Sequence, residues 1–157
     1  MTIIKMKEVQ LIDFEKIKEE ILEIFPSAYL DDWDLIPDLI HRLAATQGID
    51  LIWREVPNWT DFEAGRIDFS EDEFLEFAFY RNKPKGQVFM VTDNCFKNRK
   101  AYGLNSGYLL DFVSNIDEID GEISFVQPSD YVFVNPEQKL VTLIHHEGQV
   151  TQYRRWF

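Results

Sequence analysis

Asp130-Tyr131-Val132-Phe133-Val134, Lys139-Leu140-Val141-Thr142-Leu143-Ile144-His145 and Gln149-Val150-Thr151-Gln152-Tyr153 are three short runs rich in β-branched and aromatic residues, separated by Asn135-Pro136-Glu137 and Glu147-Gly148. Runs of this length, bounded by such breakers, read as strands joined by tight turns. Glu122-Ile123-Ser124-Phe125-Val126 precedes them across Gln127-Pro128-Ser129, so the C-terminal third reads as an antiparallel meander. Gly148 would supply the positive φ that the last of these turns needs.

Upstream the period changes. From Leu11 to Phe25 the apolar residues Phe14, Ile17, Ile21, Leu22, Ile24 and Phe25 recur at helical spacing, and Pro26 ends the run. A second helix is predicted from Asp32 or Asp34 to about Gln47, because Pro37 is tolerated only in a first turn and Gly48 is a stop. Ile49 to Val56 reads as a first strand, followed by a turn at Pro57-Asn58-Trp59. Thr60 to Phe79 is ambiguous; the Ser70-Glu71-Asp72-Glu73 capping box favours a short helix over a strand at Glu76-Phe77-Ala78-Phe79. Gln87 to Thr92 is a buried strand after the loop Asn82-Lys83-Pro84-Lys85-Gly86. Tyr108 to Ile116 is a short helix, capped by Asn105 or Ser106, that turns Leu109, Leu110, Phe112, Val113 and Ile116 inward. These elements predict an α+β fold in a single domain over 1–157, with N-terminal helices packed on one face of a mostly antiparallel sheet of about five strands and a C-terminal β-meander.

The 157 residues include 13 Phe, 6 Tyr and 4 Trp, enough for one well-buried core and too many for a disordered chain. The N-terminus lacks the long apolar core and cleavage site of a secretory signal, and no apolar run is long enough to span a bilayer, which predicts a cytoplasmic protein. Cys95 is the one cysteine, so neither an intramolecular disulfide nor a cysteine-based zinc site can form within the chain.

The formal net charge of −12 opposes sequence-independent nucleic-acid binding and docking on an anionic membrane, and it attracts a basic protein. The charge is clustered. Asp61, Glu63, Asp68, Glu71, Asp72, Glu73 and Glu76 face one base, Arg66; Asp111, Asp117, Glu118, Asp120 and Glu122 face none; Asp31-Asp32-Trp33-Asp34 is a third cluster. Arg81, Lys83, Lys85, Lys97, Arg99 and Lys100 carry the opposite sign against Asp93 alone and are expected to pair with the acids of Asp61 to Glu76. Many acids would sit well at helix N-termini without any function. The functional reading is a recognition surface on which the acids accept Arg and Lys from a partner while Trp33, Trp53 and Trp59 supply anchoring area.

Catalytic chemistry is less clearly written. His145 and His146 are adjacent in a strand and point to opposite faces, so they do not converge on one metal. Gly103 and Gly107 lack the spacing and the lysine of a phosphate loop. No cofactor and no metal is expected. The rival reading is a small hydrolase or transferase that uses Cys95 with His145 or His146, the thiolate favoured by Lys97 and Arg99.

Val88-Phe89-Met90-Val91-Thr92-Asp93-Asn94-Cys95-Phe96, then Tyr108-Leu109-Leu110-Asp111-Phe112-Val113, Val132-Phe133-Val134 and Leu143-Ile144-His145-His146-Glu147-Gly148 together form a pattern over about Gly86 to Tyr153. This pattern resembles the small cytoplasmic immunity proteins of bacterial polymorphic-toxin and contact-dependent growth inhibition systems. The resemblance implies a non-enzymatic inhibitor of a cognate toxin. A nuclease effector must grip phosphates through a basic cleft, so an acidic plug complements it. The expected partner is thus a cognate toxin with a basic surface. The expected contact residues are Asp31, Asp32, Trp33, Asp34 and Asp38, then Glu71, Asp72, Glu73 and Glu76, then Asp117, Glu118 and Asp120.

Overall fold

A computed structural model describes residues 8–26, 49–57, 59–64, 70–79, 83–116, 130–145 and 148–155. Their strands are β1 (Gln10–Asp13), β2 (Ile49–Glu55), β3 (Gln87–Thr92), β4 (Lys100–Asn105), β5 (Tyr131–Asn135), β6 (Leu140–Ile144) and β7 (Gln149–Arg155). They form a seven-stranded sheet in the order β1-β4-β3-β5-β6-β7-β2, with every neighbouring pair antiparallel. The fold is α+β, and β5, β6 and β7 are the predicted C-terminal meander. The predicted strand over Glu122 to Val126 and the helix from Asp32 to Gln47 lie outside the described residues.

The sheet is wider than the five strands expected, partly because β1 and β4 were not foreseen. β1 takes the first residues of what reads as a longer helix. Asp13 ends it and caps α1 (Phe14–Ile24), its Oδ1 accepting from the Glu15 backbone N–H at 3.2 Å. The buried stripe of α1 is Phe14, Ile17, Ile21 and Ile24, with Leu22 off it at 36% exposure.

The sheet also has no solvent face at its centre. All residues of β5 and β6, and all of β3 except Gln87, are buried. Both faces are therefore covered there. This explains why these strands read as continuous apolar runs rather than alternations. One polar pair sits inside: the Gln152 side-chain N–H donates to Thr142 Oγ1 at 3.1 Å across directly paired positions of β7 and β6.

Four further helices are described: α2 (Trp59–Glu63), α3 (Glu71–Ala78), α4 (Asp93–Asn98) and α5 (Leu109–Ser114). Tyr102, Met90 and Phe133 lie in one row across β4, β3 and β5, with Tyr102 and Phe133 on the same face. Phe112 of α5 packs on Tyr102 with ring centroids 5.0 Å apart, and Phe79 at the end of α3 meets the edge of Phe133 at 5.3 Å. α3 and α5 thus share one face of the sheet and lie side by side.

Two corrections concern α2 and α4. Trp59 opens α2 instead of ending a surface turn and is 9% exposed, with its ring 5.0 Å from Phe62 and 6.3 Å from Phe74, so this indole belongs to the core and is not a surface anchor. Arg99, at the left-handed C-terminus of α4, pairs with Glu15 of α1 at 2.7 Å and stacks on Phe14 at 4.3 Å. Among the described residues it does not pair with the acids of 61–76, as the charge pattern suggested it would.

Candidate functional site

The acidic run at 70–76 folds as its capping box requires. Ser70 Oγ accepts from the Glu73 backbone N–H at 3.1 Å and donates to Glu73 Oε1 at 3.1 Å, which starts α3 and keeps the Glu73 carboxylate local. Glu71, Asp72 and Glu73 lie in the first turn, where the helix dipole favours them. Glu76 lies beyond that turn, so the dipole does not account for it. Asp72 and Glu76 are four residues apart and stand on one side of the helix, both exposed. Among the described residues, Glu71, Asp72 and Glu76 make no ion pair.

Asp72 and Glu76 form the rim of a groove of about 590 Å³ between α3 and α5. Leu75 and Phe79 from the α3 side and Leu109 and Leu110 from α5 give it apolar walls. Lys83, Pro84 and Ser106 complete the lining among the described residues. Leu110 is 41% exposed, as is Tyr108 in the 3₁₀ turn leading into α5, which corrects the expectation that Leu110 points inward. Asn105, one of the two residues expected to cap the helix, caps instead the 3₁₀ turn that leads into it, its Oδ1 accepting from the Gly107 N–H at 2.9 Å.

The loop at 83–85 is held by Gln138. Its side-chain N–H donates to the Lys83 carbonyl at 2.6 Å, and its Oε1 accepts from the Lys85 N–H at 3.0 Å. The Gly86 carbonyl accepts from the Ser106 N–H at 2.8 Å, tying the loop to the turn that precedes α5. Gly86 has φ +68°, and a Cβ there would run into the Glu137 carboxylate, so glycine is required on both counts.

Of the expected contact residues, the structure brings Asp72 and Glu76 into the groove and leaves Glu71 and Glu73 elsewhere on α3. Asp31, Asp32, Trp33, Asp34, Asp38, Asp117, Glu118 and Asp120 lie outside the described residues, as does the Trp53 side chain. Sequence reasoning missed the apolar walls. Leu109, Phe112, Val113 and Ile116 already complete a stripe at three- and four-residue spacing, so Leu110 has to fall off it.

The residues of the hydrolase reading are also placed. Cys95 is 3% exposed, and its Sγ accepts from the Thr92 backbone N–H at 3.3 Å and shares a hydrogen bond with Thr92 Oγ1 at 3.4 Å, standing in for the carboxylate of a capping box at the start of α4. Thr92 pairs with Tyr131, and Tyr131 pairs with Ile144, so the end of β6 next to His145 is two strands, about 10 Å, from the end of β3. His146 lies outside the described residues. His145 joins the β6–β7 turn, its backbone N–H donating to the Gln149 carbonyl at 2.8 Å and its carbonyl accepting from the Gly148 N–H at 2.9 Å. Among the described residues no group of three or more His, Cys, Asp or Glu could hold a metal ion, and no helix is long and apolar enough to cross a membrane. No protein-family model, no curated protein and no solved structure matches this chain.

Proposed function

We propose that this chain is an immunity-type inhibitor that acts in the cytoplasm, binding and neutralising a cognate toxin whose basic surface, in a nuclease the phosphate-gripping cleft, meets the acidic side of α3. One observation carries the reading: Asp72 and Glu76, without an ion pair among the described residues, border a groove with apolar walls. Carboxylates that served only to start the helix would not require apolar side chains left exposed beside them, whereas an interface combines a desolvated apolar centre with a charged rim. The whole-chain charge of −12 adds long-range attraction toward a basic partner.

The test is calorimetric titration against the C-terminal domain of the protein encoded immediately upstream, at low and near-physiological salt. Nanomolar binding that weakens as salt rises, together with loss of that domain's toxicity in the complex, supports the reading. An absence of binding at both salt concentrations refutes it for that partner. Charge reversal at the three acidic clusters without any change in binding refutes the acidic interface.

A further inference from the structure

We infer that the groove between α3 and α5 docks a single basic amphipathic helix of the partner, with leucine-like side chains against Leu75 and Leu110 and cations one turn apart against Asp72 and Glu76. The inference deepens the inhibitor reading and rests on it for the identity of the partner. The docking chemistry itself follows from the shape and charge of the groove.

Three features select this occupant. The first is charge spacing: Asp72 and Glu76 are four residues apart on α3, which places two carboxylates a helical turn apart along one rim, the repeat at which Lys or Arg recurs on one face of a partner helix. The second is the backbone around the groove. Among the described residues its walls come from α3, α5, a 3₁₀ turn and the loop at 83–84, none of them a strand edge, so these walls offer no ladder for an extended peptide to join. A helix satisfies its own backbone and needs only side-chain contacts. The third is Lys83, the one base in the lining among the described residues. It repels cations on its part of the groove, so a bound helix directs its basic face toward Asp72 and Glu76.

The groove is also formed in advance. Gln138 grips the loop through Lys83 O and Lys85 N, and Ser106 N holds Gly86 O, so the wall carrying Lys83 and Pro84 does not have to be ordered by the partner. Gln138 touches no occupant and acts as a positioning residue.

The experiment is a methyl NMR titration of the full chain with a synthetic peptide that carries leucine at helical spacing and lysine between, beside a lysine-only peptide of equal charge. The inference predicts saturable shifts of the Leu75, Leu109 and Leu110 methyls with the first peptide and none with the second. Leu110→Asp should weaken the amphipathic peptide by about tenfold or more, while Leu11→Asp, at a side chain 67% exposed on β1, should leave it unchanged. Shifts centred outside the groove, equal shifts with the lysine-only peptide, or indifference to Leu110→Asp would each overturn it. The toxin domain separates the two proposals. If that domain binds but tolerates Leu110→Asp and the double reversal Asp72→Lys, Glu76→Lys, the groove inference falls and the inhibitor reading stands. If the amphipathic peptide seats in the groove and the toxin domain does not bind, the reverse holds.

Discussion

Replacing Gly148 by alanine tests the account of how the meander is closed onto the rest of the fold. Gly148 has φ +88°, and a Cβ built on it would run into Cγ and Cδ2 of Trp59, a buried indole packed on Phe62 and Phe74. Two costs combine. The left-handed backbone costs an L-residue about 1–2 kcal/mol, and overpacking against a rigid ring costs about 1–3 kcal/mol. The loss should be about 2–5 kcal/mol, a fall in Tm of roughly 10 °C for a chain of this size. Urea unfolding followed by far-UV circular dichroism reads it as a lower midpoint at constant slope. Gly107→Ala is the matched control. Its φ is not positive and its Cβ would meet only Asn105 Oδ1, at 3.4 Å, so it should stabilise by about 0.4–1 kcal/mol through the unfolded chain. In a Trp59→Ala background the obstructing ring is gone, and the cost of Gly148→Ala should shrink to about the 1–2 kcal/mol of the backbone alone. A loss below about 1 kcal/mol for the single variant, or an undiminished loss without Trp59, would refute the argument.

Two further substitutions probe the buried polar groups. Burial pushes the Tyr153 hydroxyl up to about 12, partly offset by a hydrogen bond with Thr151, so the folded state holds a proton that the unfolded chain releases near pH 10. Stability from this group is complete below pH 10 and falls by about 2–3 kcal/mol as pH rises to 12; Tyr153→Phe should flatten that decline in alkaline urea titrations, and an unchanged slope would count against it. Asn135 is fully buried at the end of β5, and neither Nδ2 nor Oδ1 meets a partner among the described residues. Asn135→Leu, similar in branching, should therefore raise stability by about 1–3 kcal/mol in the same urea assay, and a destabilised variant would show that the amide is satisfied in solution.

The central and C-terminal strands were legible because burial on both faces leaves a compositional trace: Val88 to Thr92, Tyr131 to Val134 and Leu140 to Ile144 contain almost nothing but β-formers. β4 left no such trace. Gly103 interrupts it, and glycine is tolerated there because the Phe89 ring of the neighbouring strand lies 3.4 Å from where a Cβ would be, covering the backbone in place of a side chain. β1 is four residues long and flows into α1 with no breaker, so its Leu11 and Ile12 merge with the helical pattern. At the candidate site, the acids of α3 were legible from composition and the capping box from spacing. The groove was not, since it depends on α5 coming to lie beside α3 and on a glutamine fifty-odd residues downstream of the loop it grips. Arg99 shows the same limit: its partner Glu15 is 84 positions away, and no local count of charge reveals it.

The strand order has a consequence for synthesis. β1 and β2, the first two described strands, occupy opposite margins of the sheet, and among the described residues β2 pairs only with β7, at residues 149–155. Roughly a hundred residues are translated between β2 and the strand that completes it, so for most of its time on the ribosome the nascent chain carries an unmatched hydrogen-bonding ribbon. Pairing of this range makes folding slow relative to a helical protein of equal length. A chain truncated before residues 149–155 would therefore leave β2 without the strand it pairs with, an open edge prone to aggregation.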